Sequence, residues 1–134
     1  MTTPIYLKRD FYLAFSRDAS ARYDVLAQKD LRETFQLDHE EGHGWGPGII
    51  AGSAEITVDL GPLTTVREII VVTDGEITLK LNVAEHELTV QPPKVPSGAT
   101  AKSGLLYADT EFTQLKILNV ETSDTNVLVH MIGD

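Results

Sequence analysis

One string in the chain has the residue types and spacing of a metal centre: His39-Glu40-Glu41-Gly42-His43. It matches H-E-x-x-H, in which two imidazoles one helical turn apart converge on zinc and the Glu acts as general base on the bound water. That chemistry requires a helix, because only a helix brings positions i and i+4 to one face. Here Gly42, Gly44, Gly46 and Pro47 oppose a helix. Ile49 stands where a third His would fall. The expectation is a solvated glycine-rich loop over residues 39–48, with no metal and no cofactor. His39, Glu40 and His43 are the residues that would hold an ion if one bound, and a hydrolase built on them is the third-ranked reading.

The other candidates are more dispersed. Trp45, the one Trp of the chain, lies in the same stretch. An aromatic among glycines packs its own loop down or inserts into a partner pocket, and internal packing is the favoured role. His86 and His130 sit among apolar residues on expected strands and read as partly buried, hydrogen-bonded histidines. Asp38, Glu40 and Glu41 read as an exposed acidic patch. Ala101 precedes Lys102-Ser103 where a phosphate loop needs Gly, and Ser53 lacks the spacing of a nucleophile elbow. No catalytic constellation emerges, so a non-enzyme is expected.

The elements around these residues read as strands. In 134 residues with 42% apolar content, a single ordinary domain is expected. Without cysteine there is no disulfide framework and no thiolate site. A net charge of -9 repels phosphate backbones, which argues against nucleic acid as a partner. No apolar run approaches the roughly 20 residues of a membrane-spanning helix, so no membrane partner is expected. The opening MTTPIYLKRDFY lacks the apolar core of an export signal.

Ile56, Val58 and Leu60 alternate with polar residues, as do Ile77, Leu79 and Leu81. Between them residues 69–72 are apolar throughout, and Asp74-Gly75 predicts a type I′ turn that closes a hairpin. Ile56, Val58, Ile70, Val72, Leu79 and Leu81 are expected to line one core. Ile5, Leu7, Phe11, Leu13 and Phe15 predict one or two short strands broken at Lys8-Arg9-Asp10. Over residues 22–38 two short strands are favoured, one over 23–26 and one from Glu33 to Asp38 with Phe35 and Leu37 inward. The alternative is a short helix over residues 20–34 capped by Ser20, with Tyr23, Leu26, Ala27, Leu31 and Phe35 on one side. Residues 91–104 form the longest expected loop, and residues 112–120 and 125–132 a second hairpin. The reading is all-β: a single-domain antiparallel β-sandwich over residues 1–134, jelly-roll-like. Residues 1–16 are a strand or an arm exchanged with a neighbouring subunit.

The order of segments carries a resemblance. Thr57-Val58-Asp59-Leu60-Gly61 is followed by Leu63-Thr64-Thr65-Val66, the 69–72 run and Leu79-Lys80-Leu81-Asn82. Gly104-Leu105-Leu106-Tyr107 and Phe112-Thr113-Gln114-Leu115-Lys116-Ile117-Leu118-Asn119 complete it. From Ser53 onward the chain resembles small β-sandwich virion proteins of tailed bacteriophages; the first third departs from that pattern. The resemblance implies a non-enzymatic structural protein, decorating the capsid or fitted into the neck or tail. It implies synthesis in the bacterial cytoplasm, a final place in the virion, and partners among other virion proteins. Symmetric self-association buries a patch on every copy, which makes Phe11, Tyr12, Tyr23 and Trp45 the interaction candidates. The rival reading is a carbohydrate- or ligand-binding jelly roll that uses Trp45 and the glycine- and proline-rich loops.

Overall fold

A computed structural model describes residues 5–16, 25–37, 41–82 and 86–134. Every regular element among them is a β-strand, and they fall into two compact units, residues 1–40 and residues 41–134.

The first unit is a two-stranded antiparallel ribbon of β1 (Ile5–Ser16) and β2 (Val25–Leu37). The expected break at Lys8-Arg9-Asp10 is absent: the backbone ladder runs through it, with Arg9 opposite Glu33 and Asp10 opposite Arg32 in register. Residues 25–34 lie in β2, so the helical alternative is not what forms there; residues 20–24, including Tyr23, lie outside the described residues. Register and the two-residue period sort the ribbon into two sets of alternate positions. One set joins Ile5 with Leu37, Leu7 with Phe35, Arg9 with Glu33, Phe11 with Leu31, Leu13 with Lys29 and Phe15 with Ala27. The other joins Tyr6 with Gln36, Lys8 with Thr34, Asp10 with Arg32, Tyr12 with Asp30 and Ala14 with Gln28. The first set is mostly apolar and the second mostly polar.

The second unit has eight strands: β3 (Glu41–Ile50), β4 (Glu55–Thr57), β5 (Val66–Thr73), β6 (Ile77–Leu81), β7 (His86–Val90), β8 (Gly104–Phe112), β9 (Leu115–Asn119) and β10 (Thr125–Gly133). One sheet has the order β3-β10-β5-β8 and the other β4-β9-β6-β7. Counted from β3, these are the first, eighth, third and sixth strands in one sheet and the second, seventh, fourth and fifth in the other. That order is a jelly roll. Ile50, Ile69, Val71, Phe112, Val127, Val129 and Met131 from one sheet meet Ile77, Leu79, Leu81, Val90, Leu115 and Ile117 from the other in a single core.

This topology corrects both expected hairpins. β5 pairs with β10 and β8, so neither of its edges is open to β6, which pairs with β7 and β9. Asp74-Gly75 therefore carries the chain from one sheet to the other, and neither residue takes the positive φ that a type I′ turn demands. β9 and β10 are likewise in opposite sheets, and Phe112 closes β8 rather than opening the next strand. Two facing strands of a sandwich and two paired strands of a hairpin have the same alternation. Sequence period alone does not separate them.

The parity of β5 is a further correction. Ile69 and Val71 are buried, whereas Ile70 and Val72 sit half-buried on the outer face. The loop of residues 91–103 is irregular, as expected, with Ala99 N–H donating to Pro96 O at 3.0 Å.

Candidate functional site

Strand β3 replaces the expected glycine loop. Residues 41–50 pair with β10 along the sheet edge, with a register shift opposite Val127 and Val129. Glycine does not forbid a strand; it weakens one, and pairing to the interior strand β10 outweighs that cost. Proline is tolerated on an edge, and Pro47 lies at that irregularity. At Gly46 φ is +88°, and a side chain there would meet Val127 O at 2.5 Å, so glycine is required.

The strand bears on one of the three metal candidates, His43. His43 and Trp45 are alternate residues of an extended chain, and an H-E-x-x-H helix does not exist where His43 sits. His39 and Glu40 lie outside the described residues. Among the described residues no three His, Cys, Asp or Glu side chains are grouped to hold an ion. The His43 ring instead lies over Gly61, where an added Cβ would stand 2.5 Å from it. Trp45 packs against the core, its ring closing over Gly48. That placement corresponds to the internal-packing role. His86 and His130 are both exposed, contrary to the expectation of partly buried histidines. Phe11 and Tyr12 are placed by backbone register alone, and it puts them in opposite sets of the ribbon.

What the sandwich does build is an apolar surface. On the outer face of the β3-β10-β5-β8 sheet, Leu105, Val72 and Leu128 stand side by side in register on β8, β5 and β10. Leu105 is 62% exposed and Leu128 40%, and on β3 Ile49 is 67% exposed beside Asn126. A shallow cavity of about 170 Å³ opens next to this row, lined in part by Pro47, Val72, Asp74, Ser103 and Leu128. The next row, Tyr107, Ile70 and His130, ends on Gly44. Below it the Tyr107 hydroxyl donates toward Asp109 Oδ1 at 3.1 Å and Glu68 Oε2 at 3.4 Å. The sequence reading missed this row because it sent Val72 to the core.

The opposite sheet carries a charged cluster. Lys80 Nζ lies 2.6 Å from Glu55 Oε2, and Lys116 Nζ lies 4.0 Å from Glu55 Oε1. The Lys80 hydrogen bond holds the Glu55 carboxyl below its ordinary range, and the same bond raises the Lys80 ammonium above its own. On the other sheet Arg67 bonds Asp134 and Glu111, each at 2.8 Å, and the Asp134 bond holds the guanidinium charged more firmly.

No family model, no curated protein and no solved structure matches this chain. What the fold and surface define is an all-β jelly-roll sandwich, with a separate two-stranded ribbon in the same chain.

Proposed function

We propose that the chain is a non-enzymatic structural protein of a tailed-phage virion, a capsid decoration or neck or tail accessory that acts through protein–protein assembly. The observation that carries this reading is the pair Leu105 and Leu128, exposed in one row with Val72 on the outer face of one sheet, with Ile49 exposed on the same face beside Asn126. Contiguous apolar surface on a folded domain marks a contact with another macromolecule. The jelly roll itself recurs in viral capsid and lectin domains, and fold alone does not choose between them. The choice of the virion rests on the segment pattern from Thr57 to Asn119 and on the packing of Trp45 into its own strand.

The test is mass spectrometry of tailed-phage particles purified from cells that make the chain. The chain is expected in a fixed ratio to the major capsid protein. Particles that are complete without it would sink the proposal. Leu105→Asp with Leu128→Asp is expected to reduce incorporation at least tenfold while the purified variant stays folded by circular dichroism.

A further inference from the structure

We infer that two copies of this chain associate through their β1–β2 ribbons, apolar set against apolar set, about a twofold axis running along the ribbon. This rests on the self-association part of the assembly reading and assigns it a surface separate from the Leu105–Leu128 row. A lone two-stranded ribbon is marginal in water, because its apolar positions need a second layer. At about 3.4 Å per residue the twelve residues of β1 span roughly 40 Å.

The area suffices. Eight large apolar residues fall in the apolar set. At roughly 100 Å² for each aliphatic and 150 Å² for each Phe, they would remove on the order of 1,000 Å² per copy from water. A stable interface needs about 800 Å² from each partner.

The charges choose a second copy as the occupant. Within the apolar set Arg9 and Glu33 are direct cross-strand neighbours, next to the Phe11–Leu31 pair. A twofold axis along the ribbon lays β1 of one copy over β2 of the other. Arg9 then faces Glu33 of the second copy and Glu33 faces its Arg9. The same operation sets Phe11 over Leu31. Lys29, the third charge of the set, falls over Leu13, so the self-complementary stretch is residues 5–11 with 31–37, and such a stretch is what an isologous dimer requires.

Two experiments test this on the full chain. In the first, Arg9→Glu makes the facing charges all acidic and Glu33→Arg makes them all basic. By light scattering each variant alone is expected to run at 14.7 kDa, and an equimolar mixture at twice that mass. A mixture that stays monomeric, or two variants that each dimerise alone, would overturn the proposal. The second keeps the test open if the charge variants fail to fold. The chain has no cysteine, so a single introduced one cross-links only between copies. With a thiol-reactive linker of about 10 Å, matched to the spacing of packed sheets, Phe11→Cys is expected to give covalent dimer and Tyr12→Cys less than a tenth as much. Equal yields, or none at Phe11→Cys, would remove this surface while leaving self-association standing. A wild-type chain that is monomeric at every concentration would remove both.

Discussion

Asn119 is fully buried, yet every polar atom of its side chain is used. Its Nδ2 donates to Ile50 O and Ser123 O at 2.9 Å, and its Oδ1 accepts from Glu121 N at 2.9 Å and Thr125 Oγ1 at 3.1 Å. One amide thus ties the end of β3 to the crossing between β9 and β10. Asn119→Leu leaves those partners buried without a bond, and urea denaturation should show a loss of roughly 3 kcal/mol. The Glu55–Lys80 pair makes a different prediction, in pH. The Glu55 carboxyl is depressed, so its contribution is present above the ordinary carboxylate range and fades as pH falls through its folded value. The Lys80 ammonium is raised, so its contribution holds at neutral pH and is lost only as pH rises through its folded value. The urea midpoint of Glu55→Gln should therefore lie below that of wild type by a constant amount between pH 6 and pH 9. At pH 3 the gap should narrow. A gap unchanged at pH 3 would show that the pair contributes nothing through charge.

At the scale of elements, β5 gives the sharpest contrast. Val71 is buried and its neighbour Ile70 is half-buried on the outer face. Val71→Asp places an unpaired carboxylate in the core, which costs roughly 4 kcal/mol or more and should abolish the cooperative unfolding transition. Ile70→Asp should leave the fold intact by circular dichroism. The existence of most strands was legible in the sequence, because alternation of apolar residues is a direct image of a pleated, half-buried surface. Their pairing was not legible. Val66 to Thr73 and Ile77 to Leu81 look like hairpin arms from their periods, and only the occupation of both β5 edges by distant strands excludes it. The parity of β5 was hidden for a related reason, since four apolar residues in a row do not say which pair points inward. At β3 the turn-forming residues were read correctly by type and wrongly by outcome, because pairing along β10 overrode local propensity. The candidate surface shared that blindness, since Leu128 and Leu105 differ from core leucines only by strand parity.

At the scale of the whole molecule, the charge is unevenly held. Of the 11 basic residues, Lys8, Arg9, Lys29 and Arg32 lie on the ribbon strands, while the sandwich unit is rich in acids. Repulsion between acidic sandwiches should weaken association at low salt, so the dimer is expected to tighten as salt rises from 20 to 300 mM. Analytical ultracentrifugation at the two ionic strengths measures this, and a dimer that loosens with salt would point instead to attraction between unlike charges as its main support. One feature of the sandwich reaches beyond equilibrium. Among the described strands, its first, β3, has its last, β10, as its one neighbour in the sheet. The sheet edge carrying Trp45 therefore stays unmade until the most remote segment of the unit has found its place, whereas β1 and β2 are neighbours in sequence and meet early. Topologies dominated by such remote pairings fold in milliseconds to seconds. Trp45 stands opposite Val129 on β10, so its fluorescence in a stopped-flow refolding experiment becomes a clock for the closing step of the unit.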